Sequence, residues 1–529
     1  MKKEMFAVGF LFVFTNPASC AYLPWPMLMG NPQRTGLFVA QNGERGTMDS
    51  AWVKWKNDTF PCISSSPAIG DVDTDDIVEI VVGGEDGVLY AINGGDGQIK
   101  WSKQLGSAST YTSGPAIGDI DGDSAIEILI GDRNGILYAV KGDGSAIKWS
   151  RKVGNELSSS PVIGDVDGDT NTVEVVVNTI DSTKCFIGAT GAAMWTSHTG
   201  ETGGTNVYSS PAIGNVDGNP GTEVIIASND ETVYALNGLT GATVWRCSTE
   251  YCGVSGTPSW LIFVPTLGDI DLDGIVEVVV HHSSSIYIIN GQSGALILKK
   301  NYGVLAGIGV NEGVSLGDIA NDSRLEIIMR NNGIRALDEA MGTENWSYAF
   351  PTSQTIGSIP ILADVDGDSK LEVIDANHVG WFACLSGEDG SLKWELHVLN
   401  NDVHPTHGIG DIDGDGCVEI VGIGNDGPVY AIESNCPTPV EEKTTNIETV
   451  DLNVIYQNNK PVMLLSINQL SNVSLKIYDV AGNLKQFVYE GNLGKGSYSF
   501  TTTIPKNGIY FVCANIGGKA LTKKIVLLK

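Results

Sequence analysis

The chain has 529 residues, several times the size of a typical domain, so a single small core is excluded and several domains or a repeat array is required. Hydrophobic residues make up 42% and charged residues 18%, and the 65 glycines favour many tight turns over long charged helices. An all-β fold is therefore expected. The formal net charge of −30 repels phosphate backbones and anionic membrane surfaces, which argues against nucleic acid as a partner.

Residues 1–21 have the pattern of a signal peptide. Two lysines precede the apolar run 5–14 and a stretch of small residues follows, so cleavage is expected near Ala21. The alternative is a lipoprotein signal acylated at Cys20, although Pro17 stands where such sites usually carry an aliphatic residue. No later run approaches the ~20 apolar residues of a membrane-spanning helix. We therefore expect an exported protein without a transmembrane segment in the mature chain.

An internal repeat occupies most of the remaining chain. Each copy has an apolar stretch, an acidic loop, a β-branched run, a strand such as LYAI, a glycine-rich turn and a strand that often ends in KW. Successive copies lie 46 to 54 residues apart, which is the period of a four-stranded propeller blade. Eight copies predict an eight-bladed β-propeller over residues 22–434. The acidic loops, called loops one to eight below, begin at Asp71, Asp119, Asp165, Asn215, Asp269, Asp318, Asp364 and Asp411.

The eighth copy lacks its fourth strand. After the third-strand sequence PVYAI the chain enters the polar segment 435–448, which we interpret as a linker. An additional strand, AWVKWK with Trp55, precedes the first acidic loop. We expect this N-terminal strand to complete the last blade, because closure removes the two exposed sheet edges of an open array. Seven copies carry their own large fourth-strand residue, namely Trp101, Trp149, Trp195, Trp245, Leu298, Trp346 and Trp394.

The acidic loops have the ligand pattern of a site for a hard cation. Oxygen side chains at positions 1, 3 and 5, a backbone carbonyl near position 7 and a carboxylate at position 9 suit Ca²⁺, which takes six to eight oxygens in flexible geometry. Loop three has one extra residue before its glutamate. The expected ligands are Asp71, Asp73, Asp75, Glu79, Asp119, Asp121, Asp123, Glu127, Asp165, Asp167, Asp169, Glu174, Asn215, Asp217, Asn219, Glu223, Asp269, Asp271, Asp273, Glu277, Asp318, Asp322, Glu326, Asp364, Asp366, Asp368, Glu372, Asp411, Asp413, Asp415 and Glu419.

Calcium is favoured over other metals and over a purely structural role. No His or Cys stands at positions 1, 3, 5 or 9, which argues against zinc or copper, and Mg²⁺ demands stricter geometry. Acidic turns also cap strands without metal, but eight copies in register with a glutamate favour up to eight Ca²⁺. Loop four, with Asn215 and Asn219, and loop six, with Ala320 at position 3, should bind most weakly.

The repeats resemble two known families. The loops with their preceding PAIGD resemble the FG-GAP or VCBS-type repeats of integrin α-subunit propellers and bacterial surface proteins, over residues 52–434. The sequences LYAINGGDGQIKW and VYALNGLTGATVW are similar to repeats of eight-bladed propellers of the pyrroloquinoline-quinone type. Both resemblances imply a propeller, and the first implies the calcium ligands above. Quinone-dependent alcohol dehydrogenases typically carry adjacent cysteines, and this chain has no Cys-Cys pair.

A separate domain is expected at residues 449–529. The acidic loops stop and alternating strands appear, which is typical of a small immunoglobulin-like β-sandwich. The segments VSLKIYDVAGN, NGIYFV and KKIVLLK resemble the type A sorting domain of the bacterial type IX secretion system, although IYQNNKP replaces the usual Asn-Pro element. This resemblance implies secretion machinery as a partner and the cell surface or exterior of a Gram-negative-type bacterium. A plain immunoglobulin-like stalk is the alternative.

Walker, HExxH and CxxC patterns are all missing from the sequence. All seven histidines map near the propeller face opposite the acidic loops, either because histidine favours loops or because they share a site. They are His198, His281, His282, His378, His397, His404 and His407.

The sequence favours a binding function over catalysis. The insertion 246–268, with Trp260 and Phe263, belongs to the same face as the histidines. Aromatic and histidine side chains around a propeller mouth suit a glycan or protein ligand. We expect a non-enzymatic binding or adhesion protein, and the alternative is a polysaccharide-degrading enzyme similar to rhamnogalacturonan lyases.

Cysteines add expectations about covalent structure. Cys185 and Cys384 are expected as buried thiols, Cys513 is alone in its domain, and the spacing of Cys247 and Cys252 allows a bridge. A bond between Cys417 and Cys436 would close a loop of about 20 residues around the eighth blade, and two free thiols are the alternative. Cys62 is placed on the opposite face.

Overall fold

The structure is a computed structural model that describes residues 50–433 and 451–527 with gaps, and a few residues between 27 and 38. The larger gaps are 107–112, 201–208, 249–261, 303–310, 351–357, 399–406 and 502–507. The expected signal peptide, the linker 435–448 and Cys20, Cys62, Cys252, Cys436, Trp260, His378 and His404 lie outside the described residues. Contacts within the chain divide it into two units, Met1–Cys436 and Pro437–Lys529.

The first unit consists mainly of four-stranded antiparallel sheets, eight of which lie between residues 52 and 433 of the described chain. Sheets 1 to 8 hold loops one to eight, each loop joining the first and second strands of its sheet. In chain order the strands of sheets 1 to 4, with strand β1 in front, are β1 (Trp52–Asn57); β2 (Ala68–Gly70), β3 (Glu79–Gly83), β4 (Val88–Asn93), β5 (Ile99–Gln104); β6 (Ala116–Gly118), β7 (Glu127–Gly131), β8 (Ile136–Lys141), β9 (Ile147–Lys152); β10 (Val162–Gly164), β11 (Glu174–Asn178), β12 (Ser182–Ile187), β13 (Ala193–His198); β14 (Ala212–Gly214), β15 (Glu223–Ala227), β16 (Thr232–Asn237) and β17 (Thr243–Ser248).

The remaining strands of this unit follow the same order. Two short strands, β18 and β23, pair in parallel outside the repeat. The strands from β18 to the end of sheet 8 are β18 (Ile262–Phe263); β19 (Thr266–Gly268), β20 (Glu277–His282), β21 (Ser285–Asn290), β22 (Leu296–Asn301); β23 (Asn311–Glu312); β24 (Val314–Gly317), β25 (Glu326–Arg330), β26 (Ile334–Leu337), β27 (Glu344–Tyr348); β28 (Ile361–Ala363), β29 (Glu372–Ala376), β30 (Trp381–Ser386), β31 (Leu392–His397); β32 (Gly408–Gly410), β33 (Glu419–Ile423) and β34 (Val429–Glu433).

Burial follows the strand order within each sheet. The second strands are apolar runs such as EIVVG and are buried along their whole length, as expected for a strand covered on both faces. The fourth strands, such as IKWSKQ, are half exposed. Apolar clusters lie between successive sheets, and one of them joins side chains of sheets 7, 8 and 1. The core is therefore divided among the spaces between neighbouring sheets.

Strand β1 closes the array, as the sequence predicts. It pairs antiparallel with β34, so the order in sheet 8 is β1, β34, β33, β32. Trp55 pairs with Ala431, which is the register that Trp101 has with Ala91 in sheet 1. The first strand of sheet 1 also contacts the first strand of sheet 8. The sheets therefore form a closed ring.

Fourth-strand tryptophans join neighbouring sheets. The indole N–H of Trp55 donates a hydrogen bond of 2.7 Å to the carbonyl of Gly94 in sheet 1, and its ring covers Gly97 so closely that a Cβ there would lie 2.4 Å from it. Gly97 also has a φ of +70°, a backbone conformation that favours glycine. The same tryptophan-to-glycine bond, at 2.5 to 2.7 Å, is made by Trp149, Trp195, Trp245 and Trp346.

A segment before β1 lies against the first strands of three sheets. The amide of Leu267 donates to the carbonyl of Gln33 at 3.1 Å, and the amide of Leu316 donates to that of Thr35 at 3.0 Å. Phe38 donates to the carbonyl of Leu362 at 2.8 Å. Gln33, Thr35 and Phe38 therefore satisfy backbone groups on the free edges of sheets 5, 6 and 7, which the sequence pattern did not predict.

The second unit has two antiparallel sheets among its described residues. Their cores include the buried side chains of Leu465, Leu475 and Val512. One sheet has the order β35, β36, β39 and the other β38, β37, β40, β41. The strands are β35 (Asp451–Gln457), β36 (Lys460–Ile467), β37 (Ser471–Asp479), β38 (Leu484–Leu493), β39 (Gly496–Thr501), β40 (Gly508–Ile516) and β41 (Lys519–Leu527). Among the described residues of both units, no helix has the length and apolarity needed to cross a membrane.

Candidate metal sites in the acidic loops

The first residue of each acidic loop organises the loop backbone. In loop two, the Asp119 carboxylate accepts hydrogen bonds from the amides of Gly122 at 2.7 Å and Ser124 at 2.9 Å. Asp364 in loop seven repeats both bonds, to Gly367 at 2.7 Å and to Ser369 at 2.9 Å. Part of the acidic pattern is thus explained by turn formation alone.

The glutamate at the end of each loop is almost completely buried. One oxygen, Oε2, accepts the amide of the loop's second residue at 2.9 to 3.2 Å in all eight loops. Burial raises the pKa of Glu277 to about 8 and that of Glu326 to about 7. A positive charge at the other oxygen, Oε1, would favour the ionised form.

Carboxylate oxygens converge in several of the predicted sites. In the following groups, the oxygens lie within 4.8 Å of one another, which is close enough for a shared cation. In loops one, two, three and seven the group joins positions 1, 3 and 9, and in loop five it joins positions 1, 3 and 5. The groups are Asp71, Asp73 and Glu79; Asp119, Asp121 and Glu127; Asp165, Asp167 and Glu174; Asp269, Asp271 and Asp273; and Asp364, Asp366 and Glu372.

Loop five contains two buried carboxylate oxygens without a hydrogen-bond partner. Asp269 Oδ1 and Glu277 Oε1 are buried and accept no hydrogen bond. An orphaned buried carboxylate oxygen is unfavourable unless a cation or donor satisfies it. The residues of loop five therefore fit a hard cation.

Loops four and six are poorer in ligands, as expected. In loop four the side-chain Nδ2 of Asn215 donates a hydrogen bond of 2.6 Å to the backbone carbonyl of Asn219, so this side chain already has a partner within the loop. In loop six the third position is Ala320, whose amide donates 3.1 Å to Glu326. Fewer carboxylates at these loops reduce the attraction for a cation.

Lysines reach into four loops, a feature that the sequence reasoning missed. The Lys100 Nζ lies 2.9 Å from Asp73 Oδ1, 2.8 Å from Asp75 Oδ2 and 2.7 Å from Glu79 Oε1. Lysines in sheets 2, 7 and 8 make related ion pairs with loop carboxylates. The sequence does contain an indication of these contacts, because a lysine directly precedes the fourth-strand tryptophan of these four sheets.

The described histidines do not gather into one site. His198 ends β13 in sheet 3, His281 is buried in sheet 5, and His397 is exposed at the end of β31 in sheet 7. The His397 ring lies against Trp381 with a centroid distance of 4.8 Å. His282 belongs to β20. A shared site of all seven histidines is therefore not supported by the described residues.

His407 belongs to a buried polar cluster between sheets 6, 7 and 8. The Ser358 hydroxyl lies 2.8 Å from His407 Nε2 and donates 2.7 Å to Asp375 Oδ1. Arg330 donates 2.6 Å to Asp375 Oδ2. Ser358 therefore lies between His407 and Asp375, and the histidine does not contact the aspartate through a hydrogen bond of its own. Ser358, His407 and Asp375 are each at most 1% exposed. This is not the nucleophile–base–orienter order of a hydrolase triad.

Cysteine chemistry agrees with the sequence in part. Cys185 and Cys384 are free and buried, as expected. The bridge that the spacing of Cys247 and Cys252 allowed is not formed, because Cys247 is a free thiol in β17, where it packs into the apolar core beside sheet 5. Cys417 is disulfide-bonded, and Cys436, the predicted partner, lies outside the described residues.

Comparisons with known proteins agree with the repeat architecture. A model of the FG-GAP-like repeat matches residues 71–130, and the model of outer membrane protein assembly factor BamB matches residues 125–298. The second model agrees with the resemblance to quinone-type repeats. Among curated proteins, none matches the sequence.

Solved structures show the fold. A europium-containing methanol dehydrogenase is 10% identical with a TM-score of 0.57, over 78% of this chain and 98% of that chain. A quinohemoprotein alcohol dehydrogenase from Comamonas testosteroni is 12% identical with a TM-score of 0.55, over 82% and 83%. Sqt1 from Saccharomyces cerevisiae is 12% identical with a TM-score of 0.53, over 73% and 98%. At such identities the likeness shows a propeller fold alone.

Proposed function

We propose that this chain is an exported, calcium-binding, eight-bladed β-propeller that acts as a non-enzymatic binding or adhesion protein at the cell surface. Each of sheets 1 to 8 is one blade, and β1 supplies the fourth strand of the last. The closed ring, with its tryptophan contacts between neighbouring sheets, gives a rigid support for loops on two opposite faces.

The observation that carries the proposal is the division of chemistry between these two faces. The acidic loops join first to second strands, so antiparallel order places them at the end opposite the turns between second and third strands. Trp381 and the exposed His397 lie together at that opposite end. An aromatic ring beside an accessible imidazole suits stacking against a sugar or a protein side chain.

A binding role is favoured over catalysis by the buried cluster around His407. Its serine, histidine and aspartate are inaccessible and their order is wrong for acyl transfer. The arginine beside them is paired with the aspartate. We therefore assign this cluster to structure and place ligand binding at the exposed face.

The proposal for the second unit rests on its two sheets and its sequence. Seven described strands in two antiparallel sheets suit an immunoglobulin-like sandwich. Together with the type A sorting pattern and the signal peptide, this favours a sorting or anchoring domain at residues 449–529. Deletion of these residues should leave the propeller in the periplasm, and fractionation would detect it. Surface display of the truncated protein would contradict the sorting role.

A glycan array probed with the full chain tests the binding proposal. We expect binding to one class of glycan or surface protein with calcium present, and loss of binding for the Trp381→Ala variant. A matched control is Trp346→Phe, which changes a tryptophan that packs between sheets. Incubation with pectins is the parallel assay: new unsaturated chain ends formed by the wild type would contradict the non-enzymatic role and favour a lyase.

A further inference from the structure

The residue before the fourth-strand tryptophan divides the sheets into two groups. Sheets 7, 8, 1 and 2 carry a lysine there, and these four sheets are consecutive because β1 closes the ring. Sheets 3 to 6 carry an uncharged residue at the same place. The lysines are Lys393, Lys54, Lys100 and Lys148, and the uncharged residues are Met194, Val244, Ile297 and Asn345.

In the first group the lysine ammonium occupies the centre of the loop. Lys100 Nζ contacts one oxygen each at positions 3, 5 and 9 of loop one, at 2.7 to 2.9 Å. Lys148 pairs with Asp121 and, at 2.8 Å, with Glu127. These oxygens are the ones that would surround a metal ion. In loop one the three N–H groups of the Lys100 ammonium thus satisfy the oxygens that a metal ion would otherwise contact.

Two more loops repeat this arrangement. Lys393 pairs with Asp366 and, at 2.6 Å, with Glu372 Oε1. Lys54 lies 2.5 Å from Asp413 and also pairs with Glu433 at the end of β34. In each loop the third-position aspartate is therefore held by the lysine. This contact recurs on four separate sheets, which shows that it belongs to the repeat and not to one surface accident.

Loop five represents the second group. Ile297 replaces the lysine, and the buried oxygens Asp269 Oδ1 and Glu277 Oε1 have no hydrogen-bond partner. Glu277 is 1% exposed, and its second oxygen is inaccessible to solvent. The corresponding oxygen of Glu79 in loop one contacts Lys100. In loop two Asp121 Oδ1 is also buried without a partner, but the Oε1 of that loop's glutamate accepts from Lys148. The two groups therefore differ at the glutamate oxygen, which a lysine satisfies in loops one and two and no donor satisfies in loop five.

We propose that the lysine substitutes for the divalent cation, so that tight calcium binding is confined to the lysine-free loops and is strongest in loops three and five. This inference rests on the calcium binding of the proposed function and refines it, because the eight candidate sites are divided into a lysine-containing group and a lysine-free group. A cation entering loop one would have to displace an ammonium held by three carboxylates. Loops three and five offer four carboxylates each, and Met194 and Ile297 stand at the position of that lysine.

Calcium counting on the full-length chain tests the division. The protein is stripped with EGTA, dialysed against a fixed low concentration of free Ca²⁺, and its bound calcium is measured by mass spectrometry and by calorimetric titration. We expect about two tightly bound ions per wild-type chain. The Lys148→Met variant, which copies the residue of loop three, should gain one. The Met194→Lys variant should lose one.

A matched control removes an equal charge from the same strand. Lys152 also belongs to β9, but its ammonium bonds the carbonyl of Asn134 at the other end. The Lys152→Met variant should bind the same number of ions as the wild type. Circular dichroism verifies folding, and if Lys148→Met does not fold, Met194→Lys decides the question alone.

The possible results separate the two proposals. Eight ions of similar affinity in the wild type, or an unchanged count in both loop variants, would overturn the lysine substitution while leaving calcium binding intact. Absence of bound calcium in the wild type and every variant would overturn calcium binding itself.

Discussion

Sheets 7, 8, 1 and 2 and sheets 3 to 6 share one repeat but neutralise their acidic loops differently. In the first group a lysine from the outer strand lies among the carboxylates, as in the Lys100 contacts with Asp73 and Glu79. In the second group the buried oxygens of loop five have no donor. The comparison teaches that a repeated ligand pattern does not imply repeated ligand binding, because the partner charge is supplied by a strand elsewhere in the sheet.

Removal of calcium should have the largest effect on stability, and the two groups of sheets should respond to it differently. A ligand at 100 times its Kd stabilises the folded state by about 2.7 kcal/mol per site, so excess EGTA should lower the Tm markedly. Hydrogen exchange should rise in β11 and β20 of the lysine-free group more than in β3 and β7. An unchanged Tm, or equal exchange increases in both groups, would contradict the comparison.

Loss of Trp55 should break the ring at the junction of sheets 8 and 1. The Trp55→Ala variant removes the indole bond to Gly94 and leaves a cavity over Gly97, so we expect a loss of about 3–5 kcal/mol in urea unfolding. Sheet 5 carries Leu298 in the same register, so Trp55→Leu is the matched control and should lose less. A loss below about 1 kcal/mol for the alanine variant would contradict a structural role in closure.

The disulfide of Cys417 should add covalent support to the lysine-containing group. If its partner is Cys436, the bond closes a loop of about 20 residues and stabilises by roughly 3 kcal/mol in the chain-entropy model. Cys417→Ser should lower the free energy of unfolding by about that amount, whereas Cys185→Ser, at a free thiol, serves as the control for cysteine loss. Non-reducing peptide mapping identifies the partner. A link between Cys62 and Cys436 would contradict the placement of Cys62 on the opposite face.

The smallest expected effect is a pH dependence from His407. Burial, assisted by Arg330, lowers the pKa of His407 to about 3. Because the folded pKa is below the unfolded value of about 6.5, the stabilising contribution is present above pH 6.5 and is lost as pH falls towards 3. At pH 5.5 the loss from this group should be about 1.4 kcal/mol relative to pH 7.5.

The His407→Gln variant tests this assignment. It should unfold more easily at pH 7.5 but lose less stability than the wild type between pH 7.5 and 5.5. The exposed His397 provides the control, since His397→Gln should keep the wild-type pH profile. Equal pH slopes for the wild type and His407→Gln would remove this histidine from the explanation.

Local pattern predicted much of the architecture. The eight acidic loops lie where the repeat placed them, and β1 enters sheet 8 in the register that Trp55 suggested. Both predictions depend on spacing along one chain segment, which is what repeat periodicity reports. The bridge that spacing allowed at Cys247 is not formed, because the thiol packs into an apolar core. Nearness in sequence does not decide which way a strand residue faces.

The lysine contacts could not be read in the same way. Lys100 and Glu79 are 21 residues apart in sequence. They meet because β3 and β4 run in opposite directions, so that the chain returns to loop one where β5 begins. Gln33, Thr35 and Phe38 are a second example, since their backbone bonds reach three different sheets. These contacts depend on how strands stack in space.

By itself the sequence determined the repeat length, the strand order within each copy, the carboxylates of each loop and the strand available for closure, because each depends on local spacing and on alternation of apolar residues. Tertiary structure alone decided which carboxylates meet a lysine, which buried oxygens remain unpartnered and which free strand edges Gln33, Thr35 and Phe38 cover. The physical reason is that charge neutralisation and hydrogen bonding act over a few ångströms in space, whatever the separation along the chain.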